Sequence, residues 1–420
     1  MTIAAERGAA LGRGLVFRVL GPLGAAFLLS NYYRGVNAVL SPYLIADLHL
    51  TAASLGLVTS IYFFTSAVFQ LPLGLFMDRF GPRRVQGAMA LLAAAGVVMF
   101  ALSRDVGVLV VARAIMGVGA ASALMTCFQA VVLWFPRERW PSLNGWILGM
   151  GGVGGLFASM PTAMALHLTD WHGLMLGTAA LTLAVSVAIF RIVPERVRDE
   201  PAPGFAAQLS GLATIYRDRL FWRLAPVAAC AAGSNLAFAG LWAGPWLKDV
   251  AGLGPDGIGM SLLAYSLLVI VGFVLSGALG SWLTRHGISL IVMIMGSFII
   301  SIVLQTPLLL PSGAGRWIVL VSMGVFNGIA ALCYPVLNAH FPPGMSGRVN
   351  TAMNLFFFCG AFALQYAVGA VISLFAQVAP GRYPVAAYQV AFGLMIAVEL
   401  LAWLWLLVPD RTRNQFNGPV

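Results

Sequence analysis

Gly74-Leu-Phe-Met-Asp-Arg-Phe-Gly-Pro-Arg-Arg84 closes a greasy run, Ile61 to Met77, with one acid and three arginines inside seven residues. The rest of the chain makes that cluster conspicuous, because 60% of its 420 residues are hydrophobic and only 9% are charged. A mean hydropathy of +0.90 leaves too little polar surface to cover a water-soluble globule of this size. The solvent is expected to be mostly lipid, and the cluster then reads as a short polar turn between two membrane-crossing helices.

Working outward from the turn, apolar stretches recur between charged or Gly/Pro breaks. Each approaches the roughly 20 residues that a helix needs to cross about 30 Å of hydrocarbon. Twelve spans are expected: 17–45, 53–77, 85–102, 107–134, 142–166, 172–192, 224–247, 258–283, 288–310, 316–340, 348–377 and 385–408. The fold class is therefore all-α and polytopic. The basic residues before the first apolar run look superficially like a signal peptide. No cleavage site follows, so the run is read as a retained first helix.

The basic residues set the orientation. Eighteen of the 24 Lys and Arg fall on the side of the N-terminus, among them Arg7, Arg13, Arg79, Arg83, Arg84, Arg137, Arg196, Arg198, Arg285, Arg411 and Arg413. Arg104, Lys248, Arg316 and Arg382 fall on the other side. The positive-inside rule then places both termini in the cytoplasm, in a cytoplasmic (inner) membrane. It also accounts for the net charge of +10 without a nucleic-acid partner.

The longest connection, 193–219, lies at the middle of the chain and carries charges and prolines. The sequence on either side of it repeats. Gly74, Asp78, Arg79 and Gly81 recur as Gly280, Thr284, Arg285 and Gly287, displaced by 206 positions, and so do Phe135-Pro136, Cys127 and Asn144 as Phe341-Pro342, Cys333 and Asn350. Ser41-Pro42-Tyr43-Leu44 pairs with Gly244-Pro245-Trp246-Leu247, and Tyr62 with Tyr265, at a displacement of 203. Two pseudo-symmetric six-helix bundles follow, expected at 1–192 and 224–420 with a cytoplasmic linker at 193–223.

At this point the opening stretch resembles a known signature. Gly74-x-x-x-Asp78-Arg79-x-Gly81-x-Arg83-Arg84 is similar to the loop motif of the major facilitator superfamily, and Arg113-x-x-x-Gly117-x-Gly119 resembles its second motif. The resemblance covers essentially the whole chain. It implies a secondary transporter whose halves rock about a central site, with Asp78 and its arginines, Arg113, Gly117 and Arg285 acting in gating. Physically, Gly74 and Gly81 permit a tight turn, and Asp78 can pin one half to the other on the closed cytoplasmic side. The family gives that latch its place, the outward-facing state.

Charges inside the membrane are costly and usually line a cavity. Three are expected here: Arg34, Arg113 and Glu399. In the first span Asn31, Arg34, Asn37 and Ser41 share one helix face. The second span adds Tyr62 and Gln70, the tenth Asn327, Tyr334 and Asn338, and the eleventh Asn350, Asn354 and Gln365. No acid lies within the first six spans to neutralise Arg34, and a free guanidinium grips carboxylate or phosphate through paired hydrogen bonds. A small organic or inorganic anion is the expected substrate, moved by a monomer with a proton or counter-anion as co-substrate.

The alternatives are efflux of hydrophobic or cationic compounds, a non-transporting sensor, and a membrane-embedded transferase. A transferase would need a nucleophile or paired carboxylates that the short loops at Asp47–His49 and Asp170–His172 do not supply. Neither a phosphate-binding loop nor a Cys/His metal spacing occurs, so no cofactor and no metal are expected. The four cysteines all fall inside spans. The glycines at 149–155 are read as helix packing.

Overall fold

The computed structural model describes residues 2–136, 139–195, 212–342 and 345–408. The side chains of residues 2–13 and of some helical positions, Asp78, Thr284 and Asn327 among them, lie outside the described residues. So do Arg137, Arg196, Arg198, Arg411, Arg413 and most of the 193–223 connection.

Ten helices are long and apolar enough to cross a bilayer. They are the first span (Gly14–Leu48), second (Ala52–Gln70), third (Arg79–Ala101), fourth (Val106–Trp134), sixth (Trp171–Ile192), seventh (Arg219–Asp249), eighth (Pro255–Gly280), ninth (Leu290–Leu309), eleventh (Gly347–Ile372) and twelfth (Val385–Leu407). The fifth and tenth spans are each broken. Trp140–Phe157 and Met160–Ala165 make the fifth, interrupted at Ser159 just before Pro161, whose ring favours a helix start. Arg316–Val325 and Ile329–His340 make the tenth, joined by a 3-10 turn, Phe326–Gly328. Gly324 and Gly328 there approach the eighth span so closely that added methyls would meet Leu268 Cβ at 2.6 Å and Ser276 Oγ at 2.5 Å. The architecture is thus twelve spans and all-α. Among the described residues the only β pairing is an isolated bridge between Ala379 and Arg382.

The scarce acids mark helix starts. Asp105, Asp170 and Asp218 accept hydrogen bonds from backbone N–H groups in the first turn of the fourth, sixth and seventh spans, at 2.7 to 3.1 Å.

Successive spans alternate in direction, so the start of the first helix and the end of the twelfth share one face, called proximal here; the opposite face is distal. The halves are packed together from the distal face to mid-depth. Tyr383 Oη accepts from the Ala52 N–H at 3.0 Å, and His167 Nε2 lies 2.9 Å from Asp256 Oδ1. Deeper, Gly244 meets the carbonyl of Ala38, Gly56 lies against Gly369, and Phe64 and Phe362 are 5.1 Å apart. These contacts carry the pseudo-symmetry. Gly56 against Gly369 and Gly259 against Ala163 are the same contact displaced by 203 and 206 positions. Ser41 and Gly244, matched in the sequence repeat, touch each other, so the pseudo-symmetry axis passes between them.

At the proximal turn Gly81 adopts φ 73, ψ 164, a conformation open essentially to glycine alone, and its repeat partner Gly287 has φ 76. Gly81→Ala is expected to cost about 1–3 kcal/mol. A lowered midpoint in thermal unfolding, with the helical content of the folded protein unchanged, is the predicted reading.

Candidate functional site

The first span owes its rotation to two bonds from neighbouring spans. Tyr62 Oη donates to the Ser30 carbonyl at 3.2 Å, and Arg113 Nη1 donates to the Tyr33 carbonyl at 3.1 Å. Tyr33 itself is bonded through its hydroxyl to Thr182 on the sixth span. With Ser30 and Tyr33 turned into the N-terminal bundle, Arg34 is turned toward the other half. Its guanidinium carbon lies 5.3 Å from the centre of the Phe358 ring on the eleventh span, and its charge reaches the Tyr334 phenol on the tenth. A cation over an aromatic face gains about 0.5–2 kcal/mol, depending on desolvation. Arg34 is half-buried, its Nε is buried without a hydrogen-bond partner, and no acid pairs with it among the described residues.

Opposite Arg34 the C-terminal half presents amides and a phenol in one connected set. Tyr334 donates its hydroxyl proton to Asn354 Oδ1. One turn nearer the proximal face, Asn338 Nδ2 donates to Asn350 Oδ1 at 2.8 Å and to the Tyr334 carbonyl at 3.0 Å. All four residues are half-buried, as is Asn31, whose Nδ2 donates to the Phe27 carbonyl at 2.9 Å. A guanidinium facing a rim of neutral donors and acceptors can hold an anion and orient its polar substituents.

The remaining candidates sit elsewhere. Asn37 is fully buried and donates to Thr59 Oγ1 at 2.9 Å, tying the first span to the second. Gln70 donates to the Ala121 carbonyl at 3.1 Å, and Gln365 donates to the Leu236 carbonyl at 3.3 Å within the distal packing. Asn327 and Asp78 lie outside the described side chains. Gly117 lets the fourth span close on the second, where a methyl would meet the Tyr62 carbonyl at 2.3 Å. Arg113 is fully buried between the Tyr62 and Phe100 rings, 5.2 and 5.9 Å from their centres, and reaches Arg34 only through the backbone of Tyr33.

At the proximal turn Gly74 is helical and exposed, and Arg79 stacks over Phe80 at 5.3 Å. Arg83 and Arg84 both pair with Glu195, at 2.9 Å each, on the segment that follows the sixth span. Arg285 stands at the rim of a cavity of about 840 Å³ with Trp282, Met293, Phe326 and Leu332.

Phe358 was not singled out in the sequence, because one more aromatic in a run of three carries no signal of its own. A buried polar group, Glu399 with Ser234 and Gln305, also assembles from three separate spans. Among the described residues no three His, Cys, Asp or Glu cluster as metal ligands.

A family model described as Major Facilitator Superfamily matches residues 23–365. The chain is 23% identical over 331 residues to the probable sulfoacetate transporter SauU of Cupriavidus necator, covering 73% of this chain and 76% of that protein. It is 25% identical over 183 residues to the putative multidrug resistance protein MdtD of Salmonella typhimurium, a match spanning 43% of this chain and 39% of that one. Among solved structures, a bacterial homologue of the human lysosomal transporter Spinster in an inward-facing and occupied conformation superposes with a TM-score of 0.77. That match is 17% identical and covers 93% and 95% of the two chains. With two motifs, twelve spans, internal pseudo-symmetry and a family match across most of its length, this chain belongs to the Major Facilitator Superfamily.

Proposed function

We propose that this transporter carries a small organic anion across the cytoplasmic membrane, with Arg34 as the group that holds it. The observation that carries the reading is a half-buried guanidinium with no acidic partner among the described residues, lying over the Phe358 ring across the boundary between the halves. The similarity to a probable sulfoacetate transporter supports the same chemistry, since sulfoacetate presents a sulfonate and a carboxylate on one carbon. Asn31, Asn338 and Asn354 would sort substrates by their polar substituents. We place the halves at 1–192 and 224–420 with the linker at 193–223, and the proximal face in the cytoplasm by the positive-inside rule. On that orientation the distal packing supports an inward-facing state, and we read the carrier as a monomer.

A second reading, efflux of hydrophobic compounds, draws on the aromatic residues at the boundary, Phe63, Phe64, Phe358 and Phe362, and on the similarity to MdtD. Melting of the purified protein against sulfoacetate, other small carboxylates, phosphate esters, alkylammonium ions and hydrophobic dyes separates the two, because a ligand bound to the native state raises the midpoint. Stabilisation by the sulfonate or a carboxylate, abolished in Arg34→Ala, is expected. Stabilisation by dyes or amines alone, unchanged in Arg34→Ala, would sink the anion reading.

A further inference from the structure

Glu399 lies at the middle of the twelfth span, is 1% exposed, and forms no ion pair among the described residues. One carboxyl oxygen accepts a hydrogen bond from Ser234 Oγ on the seventh span. The other has no partner, although Gln305 of the ninth span lies beside the carboxyl and its own amide oxygen is likewise buried without a partner. Two acceptor oxygens left unmatched in one dry pocket lack a donor, and a proton on the carboxyl supplies it. An ionised carboxylate there would instead be a charge in low dielectric with only the Ser234 hydroxyl and the Gln305 amide for compensation and no cation.

Among the described residues the groups around it contain no cation to change that balance. On the seventh span Cys230 faces Glu399, and Arg223 lies a membrane leaflet away, donating to the Leu406 carbonyl at 3.1 and 2.9 Å. The ninth span, Leu290–Leu309, has no titratable residue. The eleventh carries Arg348, Cys359 and Tyr366, none of them in an ion pair with Glu399. On its own span Tyr388 donates to Asp249 at 2.7 Å.

The seventh span links this pocket to the substrate side. Asn235, next to Ser234, donates to the Met323 carbonyl and accepts from the Tyr265 hydroxyl. A π-helical turn, Phe238–Trp242, follows at once, and within it Gly240 packs on the carbonyl of Arg34, where a methyl would stand 3.0 Å away. Such single turns inside helices are found frequently at functional sites. We propose that Glu399 is the proton site of the carrier, taking up one proton while the distal face is open, keeping it in the dry pocket as that face closes, and releasing it on the proximal side when the seventh span is reset against the first. The step is balanced: the carboxylic acid loses its proton to water at the open proximal face, the carboxylate keeps the Ser234 hydrogen bond, and the proton crosses in the same direction as the anion, so that a dianion such as sulfoacetate carries one net negative charge with it. The coupling part rests on the anion reading of Arg34; the protonation part does not.

Two measurements separate them. Infrared spectra of the protein in lipid nanodiscs near neutral pH should show a protonated carboxyl C=O band, sensitive to deuterium exchange and missing in Glu399→Gln. Ser234→Ala keeps the acid and should shift the band, which covers the case of a poorly folded Gln variant. In proteoliposomes loaded with sulfoacetate as the probe, an inward proton gradient should accelerate uptake by the parent. Glu399→Gln should keep sulfoacetate exchange and lose that acceleration. A missing band in the parent, or a Glu399→Gln carrier still driven by the gradient, overturns the proposal. Failure of the parent to move sulfoacetate, with the band present, counts against the anion reading and leaves the proton site standing.

Discussion

Arg34→Ala is expected to weaken binding of a small sulfonate or carboxylate by about 100-fold, read by titration calorimetry on the purified carrier. A hydrogen bond to a charged group contributes about 1.5–3 kcal/mol, and a guanidinium offers two in parallel to one oxyanion. Arg34→Lys keeps the charge but loses the fork and the flat face over Phe358, so a partial loss of about tenfold is expected. The substitution should not unfold the protein. The rotation of the first span is held by Tyr62 and Arg113 on Ser30 and Tyr33, not by Arg34 itself. Equal affinities in parent and both variants would remove Arg34 from the site.

The second large effect concerns the distal seal. Gly244 stands so close to the first span that a Cβ would lie 2.0 Å from the Ala38 carbonyl oxygen and 3.2 Å from Ser41 Oγ. Neither neighbour is the free end of a flexible chain, so Gly244→Val must push the seventh span from the first. The clash exists only where the halves meet. The variant is therefore expected to fold and to favour the state in which the distal face is open, since a change felt by one state alone shifts the population. A cysteine placed at Ser41, fully buried here, should react with a membrane-impermeant maleimide about tenfold faster in Gly244→Val than in the parent background. Uptake should fall as well. Unchanged labelling with normal uptake would mean that this contact does not close the carrier.

What the sequence made legible, and what it hid, follows from the range of each signal. Apolar length and the basic-residue pattern are properties of single segments, so the twelve spans were readable, as was the repeat that brings Ser41 and Gly244 together. Helical periodicity places Asn31, Arg34, Asn37 and Ser41 on one face, but cannot say what that face meets. The fold divides the stripe. Its distal part, Asn37 and Ser41, is clamped by the second and seventh spans, while Asn31 and Arg34 lie where the tight packing ends. Tyr62, Gln70 and Gln365 were polar residues in apolar helices and so looked like cavity lining. Each instead spends its hydrogen bond on a carbonyl of a neighbouring helix.

The breaks in the fifth and tenth spans were masked because each half-helix is apolar enough to read through the interruption. Partners from distant segments were invisible for a plainer reason. Phe358 over Arg34, Glu195 between Arg83 and Arg84, and Ser234 on Glu399 are separated by more than 100 positions from the groups they meet.

The most direct test is counterflow of labelled sulfoacetate into proteoliposomes by the parent and by Arg34→Ala, side by side, at equal amounts of folded protein. The expected result is saturable uptake by the parent, inhibited by unlabelled small carboxylates, and none above background in the variant. Uptake by Arg34→Ala at the parent's rate, or inhibition of the parent by hydrophobic cations and not by anions, would contradict it.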